Sequence, residues 1–293
     1  MRAVRITAYA KVNLALEILG KRADGFHEIR SVMQSISLAD DLLIEEADEL
    51  TVECELPELA GESNLIAAAA KALANMSRRH PGARISLNKG IPVAAGMGGA
   101  SSDAAAALVG LARLWGVDLP ATELAQLAAS LGSDVPFFLA GGTALVSGRG
   151  DLVEPLPDAQ PSWLLLLSPG HTLANKTAAL YRHITPALWT SGARTQRMAD
   201  AIARGGPLTP DLASNVFSQV AIELFPTILA YEEAMLDAGA SAVHLSGSGP
   251  TLFSLFATEP DARTVARRVQ ARGFKPFVAR TLCASDAIPV ARD

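Results

Sequence analysis

The chain has 293 residues, with 25 Lys and Arg against 30 Asp and Glu, a formal net charge of −5. Hydrophobic residues make up 49% of it, enough to bury a substantial core, so an intrinsically disordered chain and a collagen-like fibre are excluded. The mildly acidic balance excludes a domain-wide cationic field, so we expect neither nucleic acid nor a membrane as a partner.

The N-terminal residues 1–22 carry positive charge but no continuous apolar run and no small-residue cleavage pattern, so we interpret them as mature protein. Cys54 and Cys283 are too few for a disulfide framework or a zinc cluster, which suits a reducing compartment and indicates a cytoplasmic protein. The uncharged stretch 238–258 is long enough to raise the question of a membrane span. Its central Gly-Ser-Gly-Pro would form a poor helix in lipid, so we expect no span.

The first predicted element is a strand region from Val4 to Leu19, either one long strand or two with a bend. Lys11 and Asn13 lie two residues apart in this apolar run, so on a strand both side chains point to the same face. A Gly- and Asp-rich turn at residues 20–29 leads to further predicted strands at 31–46 and 51–56.

A helix is predicted from Asn64 to Arg79, because this segment is rich in Ala and Leu, has Ser63 or Asn64 as a plausible N-cap and precedes Pro81. The rest of the first half is predicted as a strand, glycine-rich loop and helix (84–116), a second helix (121–132), and a turn followed by paired strands (133–156).

Three prolines in residues 155–162 mark the best candidate for a domain boundary, near residue 158. We therefore expect two domains, 1–158 and 159–293. The second half is predicted as a buried strand (163–169), several helices (175–238), a strand, turn and strand (244–256), an amphipathic helix (260–273) and a last strand (274–282). This mixed order indicates an α+β fold in both halves.

The segment from Pro92 to Asp103 carries the strongest local signal. Glycines let the backbone turn with positive φ and approach a ligand closely, and a helix that starts at Ser101 and Ser102 offers unpaired N–H groups and a positive dipole end. The pattern predicts an anion site, most naturally for phosphate. The alternative is a glycine-rich turn with a serine cap.

Two familiar phosphate loops do not match this segment. A Walker loop needs a Gly-Lys-Ser/Thr sequence, and no Lys lies in the loop. A dinucleotide fingerprint needs G-x-G-x-x-G, but Ser101 stands where the third glycine belongs.

Three other features are ambiguous by themselves. Lys11 is either a strand-edge residue that reaches solvent or a buried cation that needs an anion to offset its desolvation. Asp134, two residues before a proline, is either a turn cap or a general base. The Gly247-Ser-Gly249 turn is explained by a tight hairpin.

Together these features resemble the GHMP family of small-molecule kinases: an early K-x-N strand, a P-x-x-x-G-x-G-G-x-S-S loop that opens a helix, and a late S-G-S-G-P-T turn. The segments ESNLI, GFHEI and LGSDVPFF are most similar to the branch whose alcohol substrate carries a cytidine diphosphate. The resemblance implies a ribosomal-protein-S5-domain-2-like N-terminal domain and a ferredoxin-like C-terminal domain, with the active site in the cleft between them.

The resemblance also implies a reaction. The γ-phosphoryl group of ATP would pass to the 2-hydroxyl of a cytidine diphosphate derivative of methylerythritol, without a covalent intermediate, in the non-mevalonate route to isoprenoid precursors. Asp134 would take the hydroxyl proton, and Lys11 would hold this base and stabilise the developing charge. Mg²⁺ would neutralise the phosphates, with Ser102 or Ser101 approaching the metal. The enzyme would be a monomer or a homodimer.

The residues that the resemblance assigns to ATP are Asn64, Leu65, Lys89, Pro92, Gly96, Met97, Gly98, Gly99, Ser101 and Ser102. Those assigned to the substrate are Asn13, Phe26, His27, Thr177 and Tyr181. Phe26 stands where the family has Tyr, which keeps a stacking face and loses a hydroxyl. Asn215 to Ser218 departs from the family pattern, which puts local helix contacts there in doubt.

Three alternatives remain open from the sequence. One is a GHMP kinase for another alcohol, such as mevalonate, homoserine or a sugar. A second is an oxidoreductase that uses the glycine loop for NAD. The third is a non-catalytic or nucleic-acid-binding protein on the S5-like fold, against which the acidic balance argues.

Overall fold

The computed structural model describes residues 2–77, 82–170 and 176–292. The strands in these residues are β1 (Ala3–Lys21), β2 (His27–Ala47), β3 (Leu50–Cys54), β4 (Gly82–Asn88), β5 (Thr143–Gly148), β6 (Leu152–Pro155), β7 (Trp163–Leu167), β8 (Ser214–Asn215), β9 (His244–Leu245), β10 (Leu252–Phe256) and β11 (Pro276–Arg280). The helices are α1 (Leu65–Ser77), α2 (Gly99–Trp115), α3 (Ala121–Leu131), α4 (Val135–Ala140), α5 (Lys176–His183), α6 (Ala193–Ala203), α7 (Ser218–Leu224), α8 (Ile228–Asp237), α9 (Glu259–Ala271) and α10 (Ala284–Ala287).

The larger sheet has the strand order β3-β4-β2-β1-β8, and β5 and β6 extend it from β2. β1 and β2 pair antiparallel along almost their whole length, with register shifts that include one between Asn13 and Ala15. The first strand is therefore continuous but irregular, as the sequence allowed. β4 and β5 pair with successive stretches of β2, which places the start of the glycine-rich loop next to the centre of this sheet.

Helices α1 to α4 and one face of this sheet enclose a common core. The run Ala104–Ala107 on α2 is fully buried, because small side chains let the helix lie close to the strands. The smaller sheet, ordered β11-β7-β10-β9, packs against α9 and contributes to two further cores. One of these also contains Val12 and Leu14 of β1, so the halves of the chain share buried apolar surface.

Backbone contacts join the part of the chain before the proline-rich segment between β6 and β7 to the part after it. β8 adds to the first sheet parallel to β1, at Ala15 and Ser214. Arg5 and Arg292 exchange two backbone hydrogen bonds, which return the end of the chain to β1. The domain limits near residue 158 stay a prediction.

The structure differs from the sequence-based expectations at α4, at the start of α2 and at β8, a short strand within the residues 175–238 that were expected to be helical. Residues 135–140, expected as part of a turn, form α4, with Pro136 in its first turn, where the lost N–H is not needed. Helix α2 begins at Gly99 rather than at the serines, with Gly98 as its N-cap and no side-chain cap bond. The predicted end of α1 at Arg79, and Pro81, lie outside the described residues.

Candidate active site

A cavity of about 1490 Å³ is lined by β1, the glycine-rich loop, Asp134, α5 and the turn between β9 and β10. All predicted site residues except Met97 and Ser102 line it: Lys11, Asn13, Phe26, His27, Asn64, Leu65, Lys89, Pro92, Gly96, Gly98, Gly99, Ser101, Asp134, Thr177 and Tyr181. Residues that are far apart in sequence and belong to both halves of the chain therefore meet in one place.

The glycine-rich loop needs two of its glycines for close backbone packing. Gly96 and Gly98 have φ values of 83° and 75°, in the left-handed region. A Cβ on Gly96 would lie 2.6 Å from the Ser246 carbonyl oxygen, and one on Gly98 would lie 2.6 Å from Cζ of Phe138. The loop is thus held between α4 and the β9–β10 turn, with the N-terminus of α2 at the cavity.

Two residues that were assigned to ATP do not line the cavity. Met97 is buried, and its carbonyl oxygen accepts the Lys11 N–H. Ser102 is also buried, and its hydroxyl donates to the Tyr9 carbonyl oxygen at 2.6 Å, so it is bonded to the sheet instead. Of the two serines, Ser101 is the one that borders the cavity, and the assignment of Met97 and Ser102 to ATP stays a prediction.

Lys11, Asn13 and Asp134 form the polar centre of the cavity. Lys11 is only 4% exposed, and its Nζ lies 2.6 Å from Oδ1 of Asn13 and 3.5 Å from Oδ2 of Asp134. Asn13 donates in turn to Ser31 Oγ at 2.7 Å, which fixes the orientation of its amide. The buried ammonium is offset by this carboxylate, and Asp134 keeps 32% of its surface exposed. Of the two interpretations of Lys11, the buried cation is confirmed.

A second buried charge cluster lies beneath the loop. Lys89 donates to Asp40 Oδ2 and, at 2.9 Å, to Asp103 Oδ2. Asp40 Oδ1 accepts the N–H groups of Gly90 and Ile91, both at 2.7 Å. Burial and the neighbouring charge of Asp40 raise the pKa of Asp103 to about 8. Lys89 therefore supports the loop from its strand side.

Aromatic side chains form one wall of the cavity. The rings of His27 and Tyr181 stack with centroids 5.0 Å apart, and the Tyr181 ring meets Phe217 edge-on at the same distance. Phe26 is 53% exposed, with the Arg149 guanidinium 5.1 Å from its ring centroid. Burial, with the charge of Lys21, lowers the pKa of His27, which favours a neutral ring at pH 7.

Sequence reasoning missed several contributors to the cavity. Phe217 and Lys176 line the cavity, but neither was assigned to the site, although Lys176 directly precedes Thr177 and Phe217 lies in the segment Asn215 to Ser218. The Gly247–Gly249 turn, expected only as a tight hairpin, also borders the polar centre of the cavity. A Cβ on Gly247 would lie 3.0 Å from Asn13 Oδ1. Asn215, in the segment that departs from the family pattern, donates to the carbonyl oxygens of Leu245 and Gly247 and so holds this turn.

Within the described parts of the chain, no cluster of three or more His, Cys, Asp or Glu side chains could hold a metal ion. No helix of residues 2–77, 82–170 and 176–292 is long and apolar enough to cross a membrane.

Two family models match the chain. The N-terminal domain of GHMP kinases matches residues 64–142, and the C-terminal domain of GHMP kinases matches residues 197–275. The first match contains the glycine-rich loop and Asp134, and the second contains the β9–β10 turn.

Curated relatives cover almost the whole chain. A 4-diphosphocytidyl-2-C-methyl-D-erythritol kinase of Dehalococcoides mccartyi is 39% identical over 94% of this chain and 98% of its own length. One of Symbiobacterium thermophilum is 42% identical over 95% of this chain and 100% of its own length.

Solved structures share the fold. A crystal structure of 4-(cytidine 5'-diphospho)-2C-methyl-D-erythritol kinase has a TM-score of 0.80, at 32% identity over 94% of this chain and 98% of that one. A homoserine kinase from Cytophaga hutchinsonii has a TM-score of 0.74 at 18% identity, over 100% of this chain and 98% of its own, a likeness of fold alone.

Proposed function

The chain belongs to the 4-diphosphocytidyl-2-C-methyl-D-erythritol kinases within the GHMP kinase family, and from this we propose that it transfers the γ-phosphoryl group of ATP to the 2-hydroxyl of 4-diphosphocytidyl-2-C-methyl-D-erythritol. This reaction belongs to the non-mevalonate route to isoprenoid precursors. The observation that carries the proposal is the Lys11–Asp134 pair, which lies in the same cavity as the glycine-rich loop.

Asp134 is the proposed general base. Its carboxylate borders the cavity, and its side chain makes no cap bond to α4, so its oxygens are available to the substrate hydroxyl. As the hydroxyl oxygen bonds to the γ-phosphorus of ATP, the bond from that phosphorus to the bridging oxygen breaks and ADP leaves. The hydroxyl proton passes to Asp134 Oδ, and negative charge spreads over the transferring phosphoryl group. Lys11, 3.5 Å from Asp134, orients the base and stabilises that charge. Asn13 and Ser31 hold the Lys11 ammonium in place.

The glycine-rich loop is the proposed site of the ATP phosphates. The first N–H groups of α2 have no partner within the helix, and Gly98, Gly99 and Ser101 border the cavity, so donors and a positive dipole end face a bound phosphate. Mg²⁺ would be held here mainly by phosphate oxygens, and Ser101, which borders the cavity, would be the loop residue to assist. When bound, the ion would neutralise part of the phosphate charge.

Asn64, Leu65 and Lys89 are proposed for the nucleoside side of ATP, with two refinements. The Asn64 side chain caps α1 by accepting the Ile66 N–H and also donates to Leu59, so it supports the cavity wall by fixing the start of this helix. Lys89 is bonded to two carboxylates and acts by positioning the loop.

The aromatic wall is the proposed cytosine site. The exposed face of Phe26 offers a stacking surface, and Tyr181 with Thr177 offers further contacts in the same cavity. A neutral His27 presents one donor and one acceptor to the polar edge of the base. Cytosine would then displace the His27–Tyr181 stack or slide beside it.

ADP release with purified enzyme tests the proposal. Separate reactions contain the diphosphocytidyl substrate, mevalonate or homoserine. We expect turnover with the first alcohol only. Turnover with mevalonate or homoserine and none with the cytidylyl alcohol would assign the enzyme to another GHMP branch.

A further inference from the structure

Lys176 is a buried lysine that connects the two halves of the cavity. It is the first residue of α5 and is 8% exposed. Its Nζ donates to the Ala94 carbonyl oxygen of the glycine-rich loop at 2.5 Å and to the Gly249 carbonyl oxygen of the β9–β10 turn. The ammonium thus lies between the proposed phosphate loop and the second half of the chain, and it borders the cavity.

The charge of Lys176 is poorly compensated. Among the described residues, no carboxylate lies within ion-pair distance of its Nζ, and two neutral carbonyl oxygens are its hydrogen-bond acceptors. Burial and the positive charge of Lys11 lower the pKa of Lys176 to about 8. Burial of a cation costs desolvation free energy unless an anion pairs with it, and here the positive charge of Lys11 increases that cost.

The surroundings of Lys176 indicate which anion. The next residue, Thr177, lies 3.0 Å from Ser248 Oγ, and Tyr181 lies one turn further along α5 in the aromatic wall. Lys176 therefore lies between the proposed cytosine site and the proposed ATP loop, close to Lys11. Both ligands of the proposed reaction contain phosphoryl groups, and both would place them near this position.

We propose that Lys176 is a phosphate-binding residue of this enzyme, whose ammonium leaves its carbonyl partners to bind a phosphoryl oxygen of a ligand in the cavity. The inference rests on the proposed function. The oxygen belongs to ATP or to the diphosphate of the cytidylyl alcohol, and the two sources are separable by experiment. Lys176 and Lys11 would then bind the phosphates from two sides.

A purely structural role predicts a different result from phosphate binding. If Lys176 only joins Ala94 to Gly249, a neutral hydrogen-bond donor can replace it. Lys176→Gln keeps an N–H donor and removes the charge, whereas Lys176→Arg keeps the charge. Lys275→Met, at an exposed position, controls for the loss of one positive charge from the whole protein.

The experiment measures, by titration calorimetry, the binding of a non-hydrolysable ATP analogue with Mg²⁺ and, separately, of the cytidylyl alcohol. We expect Lys176→Gln to weaken one of these ligands by about ten- to a hundredfold, the loss of one charged hydrogen bond. Lys176→Arg and Lys275→Met should stay close to the wild type. The ligand that is weakened identifies the phosphate.

Melting temperatures of all variants accompany the titrations. If Lys176→Gln binds both ligands as the wild type does, Lys176 binds no phosphate. If Lys176→Gln and Lys176→Arg both bind more weakly and both melt several degrees lower than the wild type, the role of Lys176 is structural. The inference is then wrong. Failure of the wild type to phosphorylate the cytidylyl alcohol would instead overturn the proposed function, which the activity assay detects independently.

Discussion

Lys89 and Asp103 stand at the two ends of the glycine-rich loop and are joined by a hydrogen bond of 2.9 Å. Lys89 follows β4 and Asp103 lies in the first turns of α2, so this bond joins the segment before the loop to the segment after it. Asp40 of β2 completes the cluster by bonding Lys89 and two backbone N–H groups at the loop's start. Both ends of the proposed phosphate site are thereby tied to the sheet.

The first prediction concerns the pH dependence of stability. Because the pKa of Asp103 is raised from 3.8 to about 8, the folded state binds more protons than the unfolded state between these values. The contribution of this group to the free energy of unfolding is present below about pH 4 and is lost as pH rises towards 8. Asp103→Asn should remove this slope and gain stability relative to the wild type at high pH.

Urea unfolding at several pH values between 5 and 9 checks this prediction. Asp118→Asn, at an exposed carboxylate, controls for the change in net charge. An unfolding free energy that falls with pH as steeply in Asp103→Asn as in the wild type would show that Asp103 does not titrate in this range.

The second prediction concerns the proposed base. Asp134→Asn keeps the size of the side chain and removes its ability to take a proton, so kcat should fall by about 10² to 10⁴. The Michaelis constants for both substrates should change far less, because the glycine-rich loop and the aromatic wall are intact. Steady-state ADP release measures both constants, with Asp118→Asn as the control. Turnover at the wild-type rate would remove Asp134 from the chemistry.

The third prediction concerns Gly98. Its replacement by Ala places a Cβ 2.6 Å from Phe138 Cζ at a φ of 75°. Gly116, at the other end of α2, has a φ of 64°, but a Cβ added there would meet no atom within 4 Å. Gly116→Ala should thus cost about 1 kcal/mol from conformation alone, and Gly98→Ala should cost about 1 to 3 kcal/mol more.

Chemical unfolding of both alanine variants measures these costs, and ATP titration tests the loop. We expect weaker ATP binding only for Gly98→Ala. Equal destabilisation by the two substitutions would mean that α4 yields to the added methyl group.

The fourth prediction concerns Phe26. Phe26→Ala removes a stacking face, and base–aromatic stacking contributes about 1 to 3 kcal/mol, so the Michaelis constant for the cytidylyl alcohol should rise by about five- to a hundredfold. The Michaelis constant for ATP should stay unchanged. Phe26→Tyr keeps the aromatic ring and should have the wild-type Michaelis constant for the cytidylyl alcohol. Equal effects on both substrates would take Phe26 out of the cytosine site.

Local pattern predicted most of the elements and some of the site. Alternation predicted β1, and Ala- and Leu-rich runs predicted α1 and α2. Helix α4 was missed because its six residues begin with a Val-Pro pair and are too short to show a helical period. The bond from the Ser102 hydroxyl to Tyr9 could not be predicted, because adjacent residues on a helix point in different directions and the motif does not record which one faces the sheet.

The sequence by itself determined the α+β class, the presence of a glycine-rich loop before a helix and the resemblance to GHMP kinases, because these depend on local spacing and residue type. Only the tertiary structure decided which charges meet. Lys11 reaches Asp134, Lys89 reaches Asp40 and Asp103, and Lys176 reaches Ala94 and Gly249 across long separations in sequence. The electrostatic energy of a buried ammonium depends on what lies within a few ångströms of it, and chain folding alone sets those neighbours.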